Sequence, residues 1–190
     1  MTARTAPDGE NAFHVEFVRA GARKKPSVSY LHGPIRVSVG EPKLEAFVAH
    51  RDIKPSNVLL GAGLGVPAET AVSDVIEAGF PAAVLVDFGN ASAMNARDVA
   101  RIVGTSERTM SRKIANDERL GPTESDRAYR LFEIVASAVR AFGDVDKALR
   151  WMKRNVPSLG GRRPIDLLRT EIGTREVLSA LDRIEYGGVA

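Results

Sequence analysis

Apolar residues from Ala68 to the C-terminus recur at intervals of three and four, and glycines and prolines interrupt this pattern every few turns. Such spacing places apolar side chains on one face of a helix, so the pattern predicts a series of short helices. The longest follows Thr123, and we interpret Thr123-Glu124-Ser125-Asp126 as its capping box. Its inward face is predicted to carry Ala128, Leu131, Phe132, Val135, Ala138 and Phe142. The sequence therefore predicts a mainly α fold.

The C-terminal third predicts shorter helices. Asp144 is suited to cap one of them, Pro164 to open the next, and Thr170 or Thr174 to cap the last. Trp151 shares an apolar stripe with its neighbours, so we interpret it as a core residue rather than an exposed one. Helices this short cannot hide their apolar faces alone, so they must pack on each other, on a second copy or on a partner.

The first 66 residues differ from the rest in the spacing of their apolar residues, because no helical or strand period continues through them. Phe13 to Arg19 and Ile35 to Val39 alternate like short strands. Gly61 to Pro67, which reads GAGLGVP, is interpreted as a linker. This part is therefore predicted to be an N-terminal extension of uncertain structure that is separate from the helices.

Residues 95 to 114 predict two short helices that meet at a glycine. Asn95 can cap the first helix and Gly104 can end it, while Thr105 or Ser106 can cap the second. In the second helix, Met110 and Ile114 lie four residues apart and are predicted to face inward. The arrangement is that of a helix-turn-helix.

The outward face of the second helix is predicted to carry Arg108, Thr109, Arg112 and Lys113. In a helix-turn-helix this helix enters the major groove, where arginine reaches guanine edges and threonine or lysine holds phosphates. We therefore predict that these four residues contact DNA. The spacing alone is equally typical of a solvated helix in an ordinary helical hairpin, and this alternative remains open.

Charge and composition add little in favour of DNA, because 27 Lys and Arg against 24 Asp and Glu give a net charge of only +3. The chain has no cysteine, which excludes disulfides and thiolate metal sites. His14, His32 and His50 are too far apart to indicate a metal site, so no metal and no cofactor are predicted. No apolar run is long enough to span a membrane, so we expect a cytoplasmic protein that does not bind membranes.

One motif points to an enzyme. Residues 50 to 57, HRDIKPSN, match the catalytic loop of a protein kinase, and Asp87-Phe88-Gly89 follows. Only 49 residues precede His50, and they contain neither a glycine-rich phosphate loop nor a V-A-I-K lysine. The chain therefore lacks the parts of a kinase, and PAAVLVDFGNAS is interpreted as an apolar helix or strand. We predict no enzymatic activity.

The C-terminal third, AFGDVDKALRWMKRNVPSLGGRRPIDLLRTEIGTREVLSALDRIEYG, resembles the toxin-binding domain of Xre, MbcA and ParS antitoxins. Upstream, SERTMSRKI and GPTESDRAYRLFEIVASA resemble the Xre-like helix-turn-helix and the helix that joins it. Met152 stands where leucine is usual, and Gly121-Pro122 replaces a leucine-serine pair. The motifs that carry the resemblance are Phe142-Gly143-Asp144, Ala148 to Trp151, Gly160-Gly161, Pro164 to Leu168, Thr170 to Gly173, Arg183-Ile184 and Gly187.

The resemblance implies a type II antitoxin that binds a RES-domain toxin acting on NAD and represses its own operon as a dimer on operator DNA. It divides the chain into an extension (1–66), a helix-turn-helix domain (67–141) and a toxin-binding domain (142–190). In such antitoxins the C-terminal end covers the toxin's active site. The residues predicted to contact toxin are accordingly Trp151, Arg183, Tyr186 and Gly187. The alternative is a stand-alone transcription regulator whose C-terminal helices only dimerise.

Overall fold

A computed structural model describes residues 17–19, 28–30, 33–35, 37–45, 47, 55–66 and 71–187, and most of them are helical. The helices are α1 (Pro55–Gly61), α2 (Val72–Ala78), α3 (Ala83–Ala91), α4 (Ala96–Val103), α5 (Glu107–Ala115), α6 (Pro122–Phe142), α7 (Val145–Lys153), α8 (Pro164–Leu167) and α9 (Glu171–Glu185), with a 3-10 turn at Pro157–Leu159. The strands are β1 (Phe17–Arg19), β2 (Val28–Tyr30), β3 (Gly33–Ile35), β4 (Val37–Val39) and β5 (Leu64–Gly65). The predicted mainly α fold is confirmed.

Two small sheets form from the N-terminal strands. β1 runs parallel to β4, with Phe17 opposite Val37, and β4 pairs antiparallel with β5. β2 and β3 form a separate antiparallel hairpin. The strand predicted at Phe13 to Arg19 is confirmed over its described part, Phe17–Arg19. The one predicted at Ile35 to Val39 corresponds to the end of β3 and to β4.

The predicted linker at Gly61 to Pro67 is wrong. Gly61 ends α1, Leu64 lies in β5, and both Ala62 and Leu64 are buried in the core. The glycines serve close packing rather than flexibility: a Cβ at Gly61 would lie 2.1 Å from the Phe47 ring, and Gly63 has a φ of +92°. Helix α1 in turn packs against α6, so Val58, Leu59, Ala62 and Leu64 share the core of the helical part.

Helix α6 is the centre of the fold, because α1, α2, α4, α7 and α9 all pack against it. Phe132 on α6 contacts two phenylalanines from the preceding segment, with ring centroids 4.5 Å from Phe88 and 6.1 Å from Phe80. Phe88 lies within α3, so of the two structures considered for PAAVLVDFGNAS, helix or strand, the segment forms the helix. Burying aromatic rings of this size contributes strongly to stability, so this cluster fixes α3 and the residues before it against α6.

The start of α6 corrects the predicted capping box. The helix begins at Pro122 after the cap residue Gly121, two residues earlier than a cap at Thr123 would place it. Glu124 still reaches back, but to the N–H of Gly121 at 2.8 Å. Ser125 does not cap either, because its buried Oγ accepts a hydrogen bond from the N–H of Phe80 at 2.9 Å. Proline at the first helical position and a tertiary contact explain the difference.

The C-terminal helices pack on one another and on α6. Asp144 caps α7 by accepting a hydrogen bond from the N–H of Lys147 at 2.7 Å, and Thr170, not Thr174, caps α9. Val177 and Leu181 on α9 are buried in the same cluster as the core of the helix-turn-helix. Among the described residues, no helix is long and apolar enough to cross a membrane.

Candidate functional site

The helix-turn-helix consists of α4 and α5, and local contacts define both of its helix starts. Asn95 Oδ1 accepts a hydrogen bond from the N–H of Asp98 at 2.8 Å. Ser106 Oγ accepts one from the N–H of Thr109 at 3.0 Å, so Ser106 rather than Thr105 is the cap of α5. Gly104 ends α4 with a left-handed φ of +86°, a conformation that favours glycine. The predicted motif is confirmed down to its caps.

Arg108 and Arg112 are exposed on α5, whereas Met110 is buried beneath them. Arg112 pairs with Glu118 at 2.5 Å but keeps 56% of its side chain exposed. Thr109 is half-buried, and its Oγ1 lies 2.9 Å from Ser106 Oγ. The outward face of α5 therefore presents two accessible guanidinium groups beside a hydroxyl that belongs to the helix cap.

Lys113 does not lie on that outward face, in contrast to the prediction. Its side chain is only 16% exposed, and its Nζ donates to Glu124 Oε2 at 2.6 Å and to the carbonyl of Arg119 at 3.2 Å. The N-terminus of α6 returns directly against α5 and brings a carboxylate to the lysine. Lys113 thus holds the second helix of the motif in place, a role that no local pattern could distinguish from DNA contact.

Glu124 is the centre of this junction. It accepts hydrogen bonds from Lys113, from the N–H of Gly121 and from Thr105 in the turn of the motif. Burial alone would raise the pKa of Glu124, but the hydrogen bonds and the charge of Lys113 outweigh it and lower the pKa below its ordinary value. The carboxylate is therefore charged near neutral pH and ties together the turn, α5 and α6.

The helix-turn-helix is also joined to the C-terminal helices by ion pairs. Arg101 on α4 donates to Asp166 on α8 at 2.7 Å, and Arg163 donates to both oxygens of the same carboxylate. The hydrogen bond from Arg163 is the main reason that the pKa of Asp166 lies below its ordinary value. Burial opposes this shift, and the hydrogen bond from Arg101 adds to it. A hydrogen bond makes a second connection, because Lys153 Nζ on α7 donates to the carbonyl of Ala93 at 2.7 Å.

Trp151 is buried, with 3% of its surface exposed, and its ring centroid lies 5.7 Å from that of Phe142. Its interpretation as a core residue is confirmed. Its predicted contact with toxin remains a prediction, and any such contact would pass through the neighbouring Phe142, which is half-buried.

The other residues predicted to contact toxin lie together at the end of α9. Arg183 is exposed, Tyr186 is 83% exposed, and Gly187 ends the helix with a φ of +77°. Arg183 also lines a hollow of about 440 Å³ between α9 and the 3-10 turn. Ile172, which the pattern did not single out, borders the same hollow and is 72% exposed. Its only signal in the sequence is an isolated apolar residue in the first turn of a helix.

The kinase-like residues do not form a site where the structure describes them. Asp87 and Phe88 lie within α3, with Phe88 in the core, and Asn57 lies within α1. Residues 50–54 of the motif lie outside the described residues, as do the three histidines. Within the described ranges, no group of three or more His, Cys, Asp or Glu side chains is arranged to hold a metal ion.

The fold and the site together define a helix-turn-helix protein with a second, helical domain at its C-terminal end. Residues 71–133 match the antitoxin Xre-like helix-turn-helix domain, and residues 137–187 match the antitoxin Xre/MbcA/ParS C-terminal toxin-binding domain. An antitoxin Xre from Yersinia enterocolitica is 34% identical over 127 residues, which cover 65% of this chain and 86% of the relative. The chain belongs to the Xre/MbcA/ParS family of antitoxins.

Further relatives agree with this assignment. An antitoxin Xre from Photorhabdus laumondii is 32% identical over 130 residues, which cover 67% of this chain and 88% of that protein. A protein from a Sphingobium species named Prs ADP-ribosylating antitoxin is 33% identical over 91 residues, which cover 43% of this chain and 57% of its own length. The class of function is therefore that of an antitoxin in a toxin-antitoxin system, with a toxin as its partner.

Proposed function

We propose that this antitoxin neutralises a RES-domain toxin that consumes NAD or transfers ADP-ribose, and that it represses its own operon by binding operator DNA. The observation that carries the proposal is the presence in one chain of two faces with different chemistry. The α5 face presents Arg108 and Arg112, and the end of α9 presents Arg183 and Tyr186. The first face suits phosphates and base edges, and the second suits a protein surface.

DNA binding is supported by the geometry of α5. Arg108 forms no ion pair within the described chain, and Arg112 remains more than half exposed in spite of Glu118. Lys113 and Glu124 hold α5 against α6, so the two arginines project from a fixed helix rather than from a loop. We assign base or phosphate contact to Arg108, Thr109 and Arg112, and a positioning role to Lys113. A homodimer on a two-fold operator follows from the way helix-turn-helix proteins pair their half-sites.

Toxin binding is supported by the end of α9. Tyr186 is an aromatic side chain without cover among the described residues, next to a glycine that can turn the chain into a cleft. Arg183 lies one turn before it and can pair with carboxylates of the toxin. Exposed aromatic and arginine side chains are the residue types that dominate the energetics of protein interfaces. Covering the active-site opening would inhibit the toxin without any chemistry by this chain.

A stand-alone regulator that uses its C-terminal helices only to dimerise is the less favoured function. Those helices bury Leu149, Met152, Val177 and Leu181 within the chain itself. The large apolar side chains left exposed in the described C-terminal domain are Ile172 and Tyr186. A dimer interface made only by this domain would need a broader apolar face than these two residues provide.

The experiment uses the protein encoded beside this chain, which we expect to be a RES-domain toxin. That protein is produced alone and together with the full antitoxin, and cellular NAD is measured in both cases. NAD loss that the antitoxin prevents supports neutralisation, while undiminished loss in its presence contradicts it. Binding of the purified chain to the upstream DNA of its operon, measured by fluorescence anisotropy against a scrambled duplex, tests autorepression separately.

A further inference from the structure

Helix α7 carries a second hollow, distinct from the one beside Arg183. It has a volume of about 560 Å³, and its lining consists of Phe142, Lys147, Arg150, Trp151 and Arg154. Its apolar lining comes from half-buried Phe142 and from Trp151 behind it, which is 3% exposed, with ring centroids 5.7 Å apart. The three cations form its rim, and all three side chains are exposed.

The rim carries charge that the chain itself does not neutralise. Lys147, Arg150 and Arg154 form no ion pair within the part of the chain that the structure describes. Arg140 and Arg163 on neighbouring elements, by contrast, each contact a carboxylate. Three positive charges around an apolar lining are therefore available for an external anionic partner.

The spacing of these residues suits a short segment of a partner. Lys147 and Arg150 lie three residues apart on α7, and Arg154 follows directly as the residue that caps the C-terminus of the helix, so the three cations lie close together along the chain. A partner could place an apolar or aromatic side chain against Phe142, and carboxylates on either side of it in the partner would then meet the cations at the rim. This is the usual anatomy of a binding pocket at a protein interface, with an apolar centre and a charged edge.

DNA fits the hollow less well than protein does. Phosphates require cations but no apolar lining, and the hollow lies in residues 137–187, which match the toxin-binding domain rather than the helix-turn-helix. We propose that the α7 hollow receives an acidic segment of the toxin with an apolar side chain at its centre. This deepens the proposed neutralisation and rests on it, and it adds a second contact to the one at the end of α9.

The test compares two charge-reversal variants of the full chain with equal change in net charge. Arg150→Glu with Arg154→Glu alters the rim, and Arg97→Glu with Arg169→Glu alters two exposed arginines outside it. Affinity for the RES-domain protein is measured by calorimetry at several salt concentrations. The rim variant should bind about ten- to a hundred-fold more weakly, as expected when paired interfacial charges are reversed, and the control should change by less than about three-fold.

A second readout does not depend on charge reversal. Trp151 is the single tryptophan of the chain, so 5-fluorotryptophan gives one fluorine resonance located in the hollow. Toxin should shift this resonance in the wild type, and operator DNA should leave it in place. A milder variant, Arg150→Gln with Arg154→Gln, should lose part of the affinity with an unchanged melting curve.

The outcomes separate the hypotheses. Wild-type toxin affinity in both rim variants, or an unshifted resonance in the saturated complex, would overturn the α7 contact while leaving neutralisation intact. Lost operator affinity with full toxin affinity would reassign the hollow to DNA. A wild-type chain that does not bind the RES-domain protein at all would overturn the proposed function, and the α7 contact with it.

Discussion

Arg101 and Asp166 are 65 residues apart in the chain, yet their side chains meet at 2.7 Å and join the first helix of the helix-turn-helix to the C-terminal domain. Asp98 on the same helix also contacts Arg101, at 3.1 Å, and Arg163 contacts the far side of Asp166. The helix-turn-helix and the C-terminal domain therefore share a charged contact in addition to their common core on α6.

We expect Arg101→Ala to lower the free energy of unfolding by about 0.5 to 1 kcal/mol, a value discounted because both side chains are about one third exposed. A double-mutant cycle with Asp166→Ala, followed by urea unfolding, measures the coupling directly. The coupling should weaken as salt is added. Arg169→Ala, which removes an exposed arginine without an ion pair, is the control. Strict additivity of the Arg101 and Asp166 changes would show that the contact has no energetic role.

The Lys113–Glu124 pair should matter more, because both side chains are largely buried. Lys113→Met leaves a partly buried carboxylate without its cation, and we expect a loss of about 1 to 2 kcal/mol in urea unfolding. Arg108→Met, on the exposed side of the same helix, should change stability by less than about 0.5 kcal/mol. Equal effects of the two substitutions would contradict the positioning role of Lys113.

The pH dependence of stability tests the same carboxylate. The pKa of Glu124 is lower in the folded chain than in the unfolded one, so its contribution is present above the unfolded value, about 4.3, and is lost as pH falls through the folded value. Unfolding in urea should therefore become easier below about pH 4.5. The Glu124→Gln variant should be less stable at neutral pH, and its free energy of unfolding should fall less steeply than that of the wild type as the pH is lowered. An equally steep fall in this variant would exclude Glu124 as a source of the pH dependence.

Local chemistry made much of this structure predictable. The caps at Asn95, Ser106 and Asp144 depend on a side chain and an N–H three residues away, so the sequence carries the whole signal. Lys113 was misplaced because its partner Glu124 belongs to the next helix, and helical periodicity does not report how two helices pack. The linker prediction failed for a similar reason, since glycine is used both in flexible chains and where two backbones approach closely.

The exposed arginines of α5 give the direct test of DNA binding. Arg108→Ala combined with Arg112→Ala should weaken operator binding by about 1 to 3 kcal/mol for each arginine that reads a guanine, and a lost phosphate contact should reduce the salt dependence by about one unit. The variant should still bind toxin. Lys113→Met should affect operator binding only as far as it lowers stability. Normal operator affinity of the folded double variant would exclude this face of α5 as the DNA contact.

Asp52 in the kinase-like motif tests the remaining enzyme hypothesis. Asp52→Asn removes the charge that a catalytic aspartate requires while keeping its size, and we expect unchanged toxin neutralisation and operator binding. Phosphotransfer from ATP to a generic protein substrate is measured alongside. An activity present in the wild type and lost in the variant would contradict the assignment of a purely binding function.

The end of α9 gives the last prediction. Tyr186 is 83% exposed, and the inward residues Val177 and Leu181 lie at least one turn before it, so deleting residues 186–190 removes an exposed aromatic without opening the core. If this end covers the active site of the toxin, the truncated chain should still bind operator DNA and should still associate with toxin through the rest of the C-terminal domain. The toxin in that complex should regain its NAD-consuming activity, because the group that blocks its opening is gone.

A matched control separates blocking from binding. Tyr186→Ala in the full-length chain keeps the backbone and removes only the aromatic anchor, so it should weaken inhibition less than the deletion does. Ile172→Ser alters the exposed apolar residue in the first turn of α9, at the other end of the helix, and should lower toxin affinity without restoring activity in the saturated complex. Full inhibition by the truncated protein at saturation would mean that other surfaces, including the α7 hollow, hold the toxin inactive, and the end of α9 would then have no part in covering its site.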